Sequence, residues 1–203
     1  DWSSDVCSSD LRMLEQIADS IISSLNMDEG DKSKYELDLW GIKELLHNLA
    51  NILTMIVLGV IIGKMTECII FYISYSVLRS FAGGYHANTR LKCYLFSTMM
   101  LAVFILTVGT LAEHIAFANV IIVVAAAVIL MLAPVDNNNK LLYDKEKITF
   151  KRITVAAMLV EIVIYIIVYI FKWNIPAACM AESMMWVSIM VVLGELKLRV
   201  KRT

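Results

Sequence analysis

Two stretches of the sequence, Cys93–Leu111 and Ile115–Ala133, each run for 19 residues without a charged side chain. As helices they would be about 28 Å long, close to the thickness of a bilayer's hydrocarbon core. A soluble fold would have to bury both on every side, and a chain of 203 residues offers little with which to cover them. Hydrophobic residues make up 59% of the chain and mean hydropathy is +0.71. Charged residues make up 18%, against about 25% in ordinary soluble domains. Disorder is excluded on the same grounds, and 18 Lys and Arg against 19 Asp and Glu argue against a nucleic-acid binder. The sequence reads as an integral membrane protein.

Six segments reach spanning length: Leu45–Ile62, Met65–Ala82, Cys93–Leu111, Ile115–Ala133, Ile153–Phe171 and Ile175–Leu193. The second is the most polar, with Glu67 near one end and Arg79 near the other. Short joints at Gly63-Lys64, Ala112–His114 and Lys172–Asn174 alternate with longer polar ones at Ser80–Lys92 and Pro134–Arg152. This predicts an all-α, polytopic fold of six transmembrane helices in three hairpins. With the N-terminus placed inside, 16 of the 18 Lys and Arg fall on inner segments, and only Lys64 and Lys172 fall outside. The positive-inside rule therefore puts both termini in the cytoplasm.

Residues 1–11 (DWSSDVCSSDL) have no helical period and no signal-peptide core, and read as a non-native leader. Without its three aspartates the net charge moves from −1 to +2. Residues 12–34 form a separate segment. In it Leu14, Ile17, Ile21 and Leu25 fall on one helical stripe, fit to lie on the inner membrane surface or to pack on the bundle, and Met27–Lys34 is a polar linker. The membrane domain is expected over residues 35–203. Cys7, Cys68, Cys93 and Cys179 make no CxxC and no metal-like cluster, and no HExxH occurs, so neither metal nor cofactor is expected.

Chemistry concentrates between the second and third spans, in Arg79-Ser-Phe-Ala-Gly-Gly-Tyr-His-Ala-Asn-Thr-Arg-Leu-Lys-Cys93. Gly83 and Gly84 let backbone N–H groups approach a ligand and are candidate oxyanion donors. His86 is a candidate base near neutral pH. Cys93 opens a span. With Asn88 or Thr89 as N-cap, its thiol would sit in the first turns, where the macrodipole favours thiolate. On one continuous helix His86 and Cys93 would be about 10 Å apart along the axis. They can meet only if the histidine loop folds back over the helix start, if the helix breaks, or if a second subunit supplies one partner. Arg79 reads equally as a carboxylate binder, a loop anchor or a snorkelling helix end.

Arg79-x-x-x-Gly83-Gly84-Tyr85-His86-Ala87 followed by Cys93 resembles the signature of the accessory gene regulator B (AgrB) family. Ala133-Pro134-Val135-Asp136-Asn137-Asn138-Asn139-Lys140 resembles that family's loop after the fourth span, and Leu39-Trp40-Gly41-Ile42 is a looser match. The resemblance implies a multi-pass cysteine endopeptidase of the plasma membrane of Gram-positive bacteria. It implies a homodimer with a small AgrD-like propeptide as substrate. The enzyme would cleave the propeptide's C-terminal tail and cyclise the remainder, through an acyl-thioester, into a thiolactone or lactone for quorum sensing. Cys93 and His86 would be catalytic, with Arg79 and Gly84 carried over beside them. A polar residue near the first span falls on Lys43 or Glu44. Glu44, Asp136 and Lys140 are candidates for substrate contact, and Asp136 and Asn137–Asn139 are candidates to orient His86. The predicted active site faces the cytoplasm.

Two carboxylates, Glu161 and Glu182, lie inside spans, where acids are costly and face the bundle interior or a polar path. They make a peptide exporter the alternative to an enzyme, with a non-catalytic scaffold as a third reading. His47, Asn48 and Asn51 place further polar groups on the first span.

Overall fold

A computed structural model describes residues 32–85, 89–135 and 144–202. The leader and the amphipathic stripe at Leu14–Leu25 lie outside the described residues. Among the described residues six helices follow in order: α1 (Lys32–Ile62), α2 (Met65–Ala82), α3 (Arg90–Glu113), α4 (Ile115–Leu132), α5 (Asp144–Ile170) and α6 (Asn174–Arg202). Among the described residues the only β-type pairing is a single parallel bridge between Gly83 and Val135. The fold is all-helical, as the apolar segments require.

The helices end where the sequence can break them. Gly63 leaves α1 at φ +74 and Lys172 leaves α5 at φ +56, while His114 alone separates α3 from α4. Thr89 caps α3, its hydroxyl accepting from the Lys92 amide at 3.4 Å. Pro176 falls in the first turn of α6, where its missing N–H costs nothing. Several helices run past the apolar segments that announce them. Lys32–Lys34, expected in the linker, already belong to α1, and α5 begins at Asp144 rather than near Ile153.

Among the described residues five stretches are long and apolar enough to cross a membrane: Leu45–Ile62, Leu91–Glu113, Ile115–Leu132, Lys147–Ile170 and Asn174–Val200. Helix α2 is not among them. Glu67, Arg79 and the serines at 74, 76 and 80 dilute its hydropathy, and several of these polar groups have partners inside the bundle instead. Outward faces carry large apolar side chains, with Leu106, Met131 and Ile61 each at least three-quarters exposed. A surface of this kind is solvated by lipid, and the chain is a membrane protein.

Helix α6 is the hub, in contact with α2, α3, α4 and α5. Two apolar clusters share it. One joins α2, α4, α5 and α6 around Leu78, Ile122, Ile129, Met158 and Met184. The other joins α1, α2, α3 and α6 around Met55, Phe71, Phe104 and Trp186. Between these layers Glu161 of α5 accepts from Ser74 of α2 and from Ser183 of α6, the latter at 3.1 Å. The carboxyl group thereby joins three helices at mid-height, which meets the need of a buried acid for hydrogen-bonding partners.

Candidate active site

The site is built where α2 ends. Gly83 and Gly84 leave the helix at φ +69 and +124, conformations that side-chain-bearing residues rarely adopt. The strand-like stretch they begin is fastened on two sides. Towards the α4–α5 loop, the Val135 amide donates to the Ala82 carbonyl at 3.0 Å, and Gly83 pairs with Val135. Towards α6, the Tyr85 amide donates to the Met190 carbonyl at 2.7 Å. A Cβ on Gly83 would run into the Val135 carbonyl, and one on Gly84 would stand 2.7 Å from the Met190 oxygen. Gly194, one turn further along α6, completes the fit. A Cβ there would lie 2.7 Å from the Gly84 carbonyl carbon and 2.8 Å from the Tyr85 nitrogen. Three glycines are therefore required so that backbone can lie on backbone.

Arg79 closes the loop from below. Its Nη2 donates to the Tyr85 carbonyl at 2.7 Å, and its guanidinium also hydrogen-bonds the Tyr75 side chain one turn back on α2. Of the readings open for Arg79, loop anchor is the one these contacts describe. The Tyr85 ring lies 6.2 Å from that of Phe96 on α3, and the Lys197 ammonium sits 5.0 Å from the same Tyr85 ring. A cation over an aromatic face is favourable, more so where water is scarce.

Cys93 is half-buried in the first turn of α3, its amide donating to the Thr89 carbonyl at 3.1 Å. Here the partial positive charge of the helix N-terminus is concentrated. Phe96, one turn beyond Cys93, is the residue that Tyr85 meets, and Tyr75 is close enough to Cys93 to interact with it electrostatically. Arg79, Gly83, Gly84 and Cys93 are thus gathered at one end of the bundle. His86, Asp136 and Lys140 lie outside the described residues, as do the side chains of Lys43 and Glu44. Tyr85 and Val135, the described neighbours of His86 and Asp136, lie in the site. Glu161 and Glu182 lie in the body of the bundle.

Motif spacing does not mark Tyr75, Met190 or Gly194 as part of this site, whereas Val135 lies in the Ala133–Lys140 stretch singled out in the sequence. Met190 contributes only a carbonyl, for which any residue serves. Gly194 leaves one trace, a lone glycine in a strongly helical stretch.

The sequence model of the family "Accessory gene regulator B" matches residues 14–192. An AgrB-like protein 2 of Clostridium perfringens strain 13 is 26% identical over 180 residues, covering 81% of each chain. An AgrB-like protein of Clostridium perfringens strain SM101 is 25% identical over 188 residues, covering 85% of each. Protein FsrB of Enterococcus faecalis is 33% identical over 82 residues, covering 37% of this chain and 32% of its own. No solved structure matches.

Proposed function

The chain belongs to the accessory gene regulator B family, which places its role in that quorum-sensing system, and from this premise we propose that it is a membrane-embedded cysteine peptidase and cyclase. The observation that carries the reading is the docking of the Gly83–Tyr85 loop between α6 and the N-terminal end of α3, against Phe96, one turn beyond Cys93. It holds the residue before His86 over the helix that bears Cys93, which is the arrangement the pair needs if both come from one subunit.

In this mechanism His86 accepts the Cys93 thiol proton as the sulfur attacks a peptide carbonyl of a small AgrD-like propeptide. The C–N bond breaks, His86 protonates the leaving amine, and the C-terminal tail departs. The thioester left on Cys93 is then attacked by a Cys or Ser of the same propeptide, whose proton returns through His86 to the Cys93 sulfur. The product is a thiolactone or lactone. Cyclisation outruns hydrolysis because apolar helices exclude water and hold the internal nucleophile close. Exchange of one thioester for another is nearly balanced, so removal of tail or product drives the sequence forward.

Gly83 is the stronger of the two oxyanion candidates. The Tyr85 amide is committed to Met190, and the parallel pairing turns the Gly84 amide towards the Val135 carbonyl. One well-aimed donor contributes about 3–4 kcal/mol. Glu44, Asp136 and Lys140 remain proposed substrate contacts. The six spans, the cytoplasmic termini, the cytoplasmic placement of the site and a homodimer complete the proposal. An exporter would use Glu161 and Glu182, and it is less well supported for Glu161, whose carboxyl group is engaged by two serines.

The test is tail release in proteoliposomes from a synthetic propeptide, followed by mass spectrometry. The wild type should yield tail and ring, with a thioester cleavable by hydroxylamine. Cys93→Ala and His86→Ala should yield neither, and tail release by either variant would overturn the mechanism.

A further inference from the structure

Among the described residues α1 is the longest helix, and its span, Leu45–Ile62, is the least covered of the five. Met55 and Gly59 face the bundle, and Thr54 is hydrogen-bonded to Tyr94 of α3 at 2.7 Å. The opposite side is open, with Leu49, Leu53, Ile56 and Val60 at 38–65% exposed. Tyr35, Leu39, Ile42 and Leu46 precede these four, and all eight alternate by four and three residues without a break. That is the a/d repeat of a coiled coil, held for almost four heptads, about 38 Å of helix. Lipid suffices to cover the part of the line inside the span. Tyr35, Leu39 and Ile42 lie before it, where only Leu37 and Trp40 are apolar as well and the other side chains are polar.

The flanking positions select the partner. Two copies of one membrane protein insert the same way up, so their α1 helices pair in parallel. In a parallel pair each g position meets the e position five residues on in the other helix. Before the span that pair is Asp38 with Lys43, of opposite charge. Glu36, the other charged e position, has its counterpart before the helix begins. Within the span the pairs are Leu45 with Ala50 and Ile52 with Val57, all uncharged, as lipid requires. The charged flank thus ends where the apolar span begins, and one register satisfies both water and lipid.

We infer that α1 is a self-association surface, along which the chain pairs with a second copy of itself from Tyr35 to Val60, in a parallel coiled coil begun outside the membrane and continued through it. Inside the lipid the seam is held by the close packing of its a and d side chains, since lipid tails remove the hydrophobic drive. Outside it, Asp38 against Lys43 of the partner subunit fixes the register. The inference gives the proposed homodimer its seam and Lys43 a role, and it is independent of the proposed chemistry.

The test uses the full chain in liposomes at low protein density, with Cys7→Ser and Cys93→Ala; Cys68 and Cys179 are buried. Under copper phenanthroline, Leu49→Cys, Leu53→Cys and Ile56→Cys should each give a disulfide-linked dimer, because facing seam positions of a parallel pair come within reach of the bond. Ile61→Cys, 75% exposed but off the seam, should give about a tenth as much or less. Asp38→Lys and Lys43→Asp each set like charges opposite one another on both flanks. Each should weaken dimerisation about tenfold, read by energy transfer between labelled copies, and the double reversal should restore it. Equal cross-linking at residues 53 and 61 overturns the seam, as does a dimer indifferent to both reversals. A monomeric chain overturns the seam and the homodimer together and leaves lipid on that face. Tail release by the wild type, measured alongside, tests the peptidase reading separately, so failure of one is not taken for failure of the other.

Discussion

Replacing Gly194 with alanine sets two physical effects in opposition. In a helix interior, Gly→Ala is ordinarily stabilising by about 1 kcal/mol, because glycine loses more backbone freedom on folding. Here the new methyl group would stand 2.7–2.9 Å from the Gly84 Cα and carbonyl carbon and the Tyr85 nitrogen. These are backbone atoms of a segment pinned on both sides, and no side-chain rotation can relieve them. The loop must lift from α6. Lifting loses the bond between the Tyr85 amide and the Met190 carbonyl, worth about 1 kcal/mol, and leaves the amide in an apolar setting at a cost of about 1–3 kcal/mol. After the helix gain is subtracted, Gly194→Ala should cost about 2 kcal/mol of folding stability, with the loop held off α6 by the clash. Limited trypsin digestion in nanodiscs, read at Arg90 and Lys92, should show faster cleavage of Gly194→Ala, and tail release should fall in parallel. Gly109→Ala is the control, since nothing but the tip of Lys64 comes within 4 Å of its added methyl. If Gly194→Ala resists trypsin and turns over propeptide as Gly109→Ala does, the seating of the loop on α6 is wrong.

Three further outcomes follow from the contacts. Tyr75→Phe removes the hydroxyl that steadies Arg79, and tail release should slow about tenfold with little change in thermal unfolding; unchanged turnover would show that Arg79 needs no such support. Arg79→Ala should leave the Tyr85 carbonyl without its donor and abolish turnover, and Arg79→Lys should recover only part of it, because a flexible ammonium holds the carbonyl less firmly than a guanidinium; full recovery would mean that charge alone suffices. Ser74→Ala and Ser183→Ala should each cost about 1 kcal/mol in unfolding experiments. The double variant should depart from additivity, since both hydroxyls serve one carboxyl oxygen, and strict additivity would refute the shared partner.

Hydropathy made the helices legible to different depths. For Met65–Ala82 the apolar segment and the helix coincide, because Gly63-Lys64 and Gly83-Gly84 terminate α2 with backbone chemistry that is visible in the sequence. For α1 and α5 the helix continues beyond the apolar part, since intrahelical hydrogen bonds do not stop where hydrophobicity does. Asn88 and Thr89 were both readable as caps, the structure takes Thr89, and the first-turn position of Cys93 follows from it. The other wall of the site was not readable. Met190 acts through its carbonyl, which the sequence does not distinguish, and Gly194 acts through an absent side chain 110 residues away from Gly84. Arg79 stayed open between carboxylate binder, loop anchor and snorkelling helix end because the carbonyl it holds belongs to the backbone of Tyr85.

The order of synthesis gives the central position of α6 a further meaning. Chains emerge N-terminus first, and α6 is the last of the described helices in that order. Cys93 and the Gly83–Tyr85 loop are therefore made well before Met190 and Gly194, the backbone on which that loop rests. A nascent chain carries the thiol but not its seat. On the proposed mechanism, acyl transfer by a half-made protein would thereby be withheld until the final helix inserts, so that insertion and loop docking arrive as a single event.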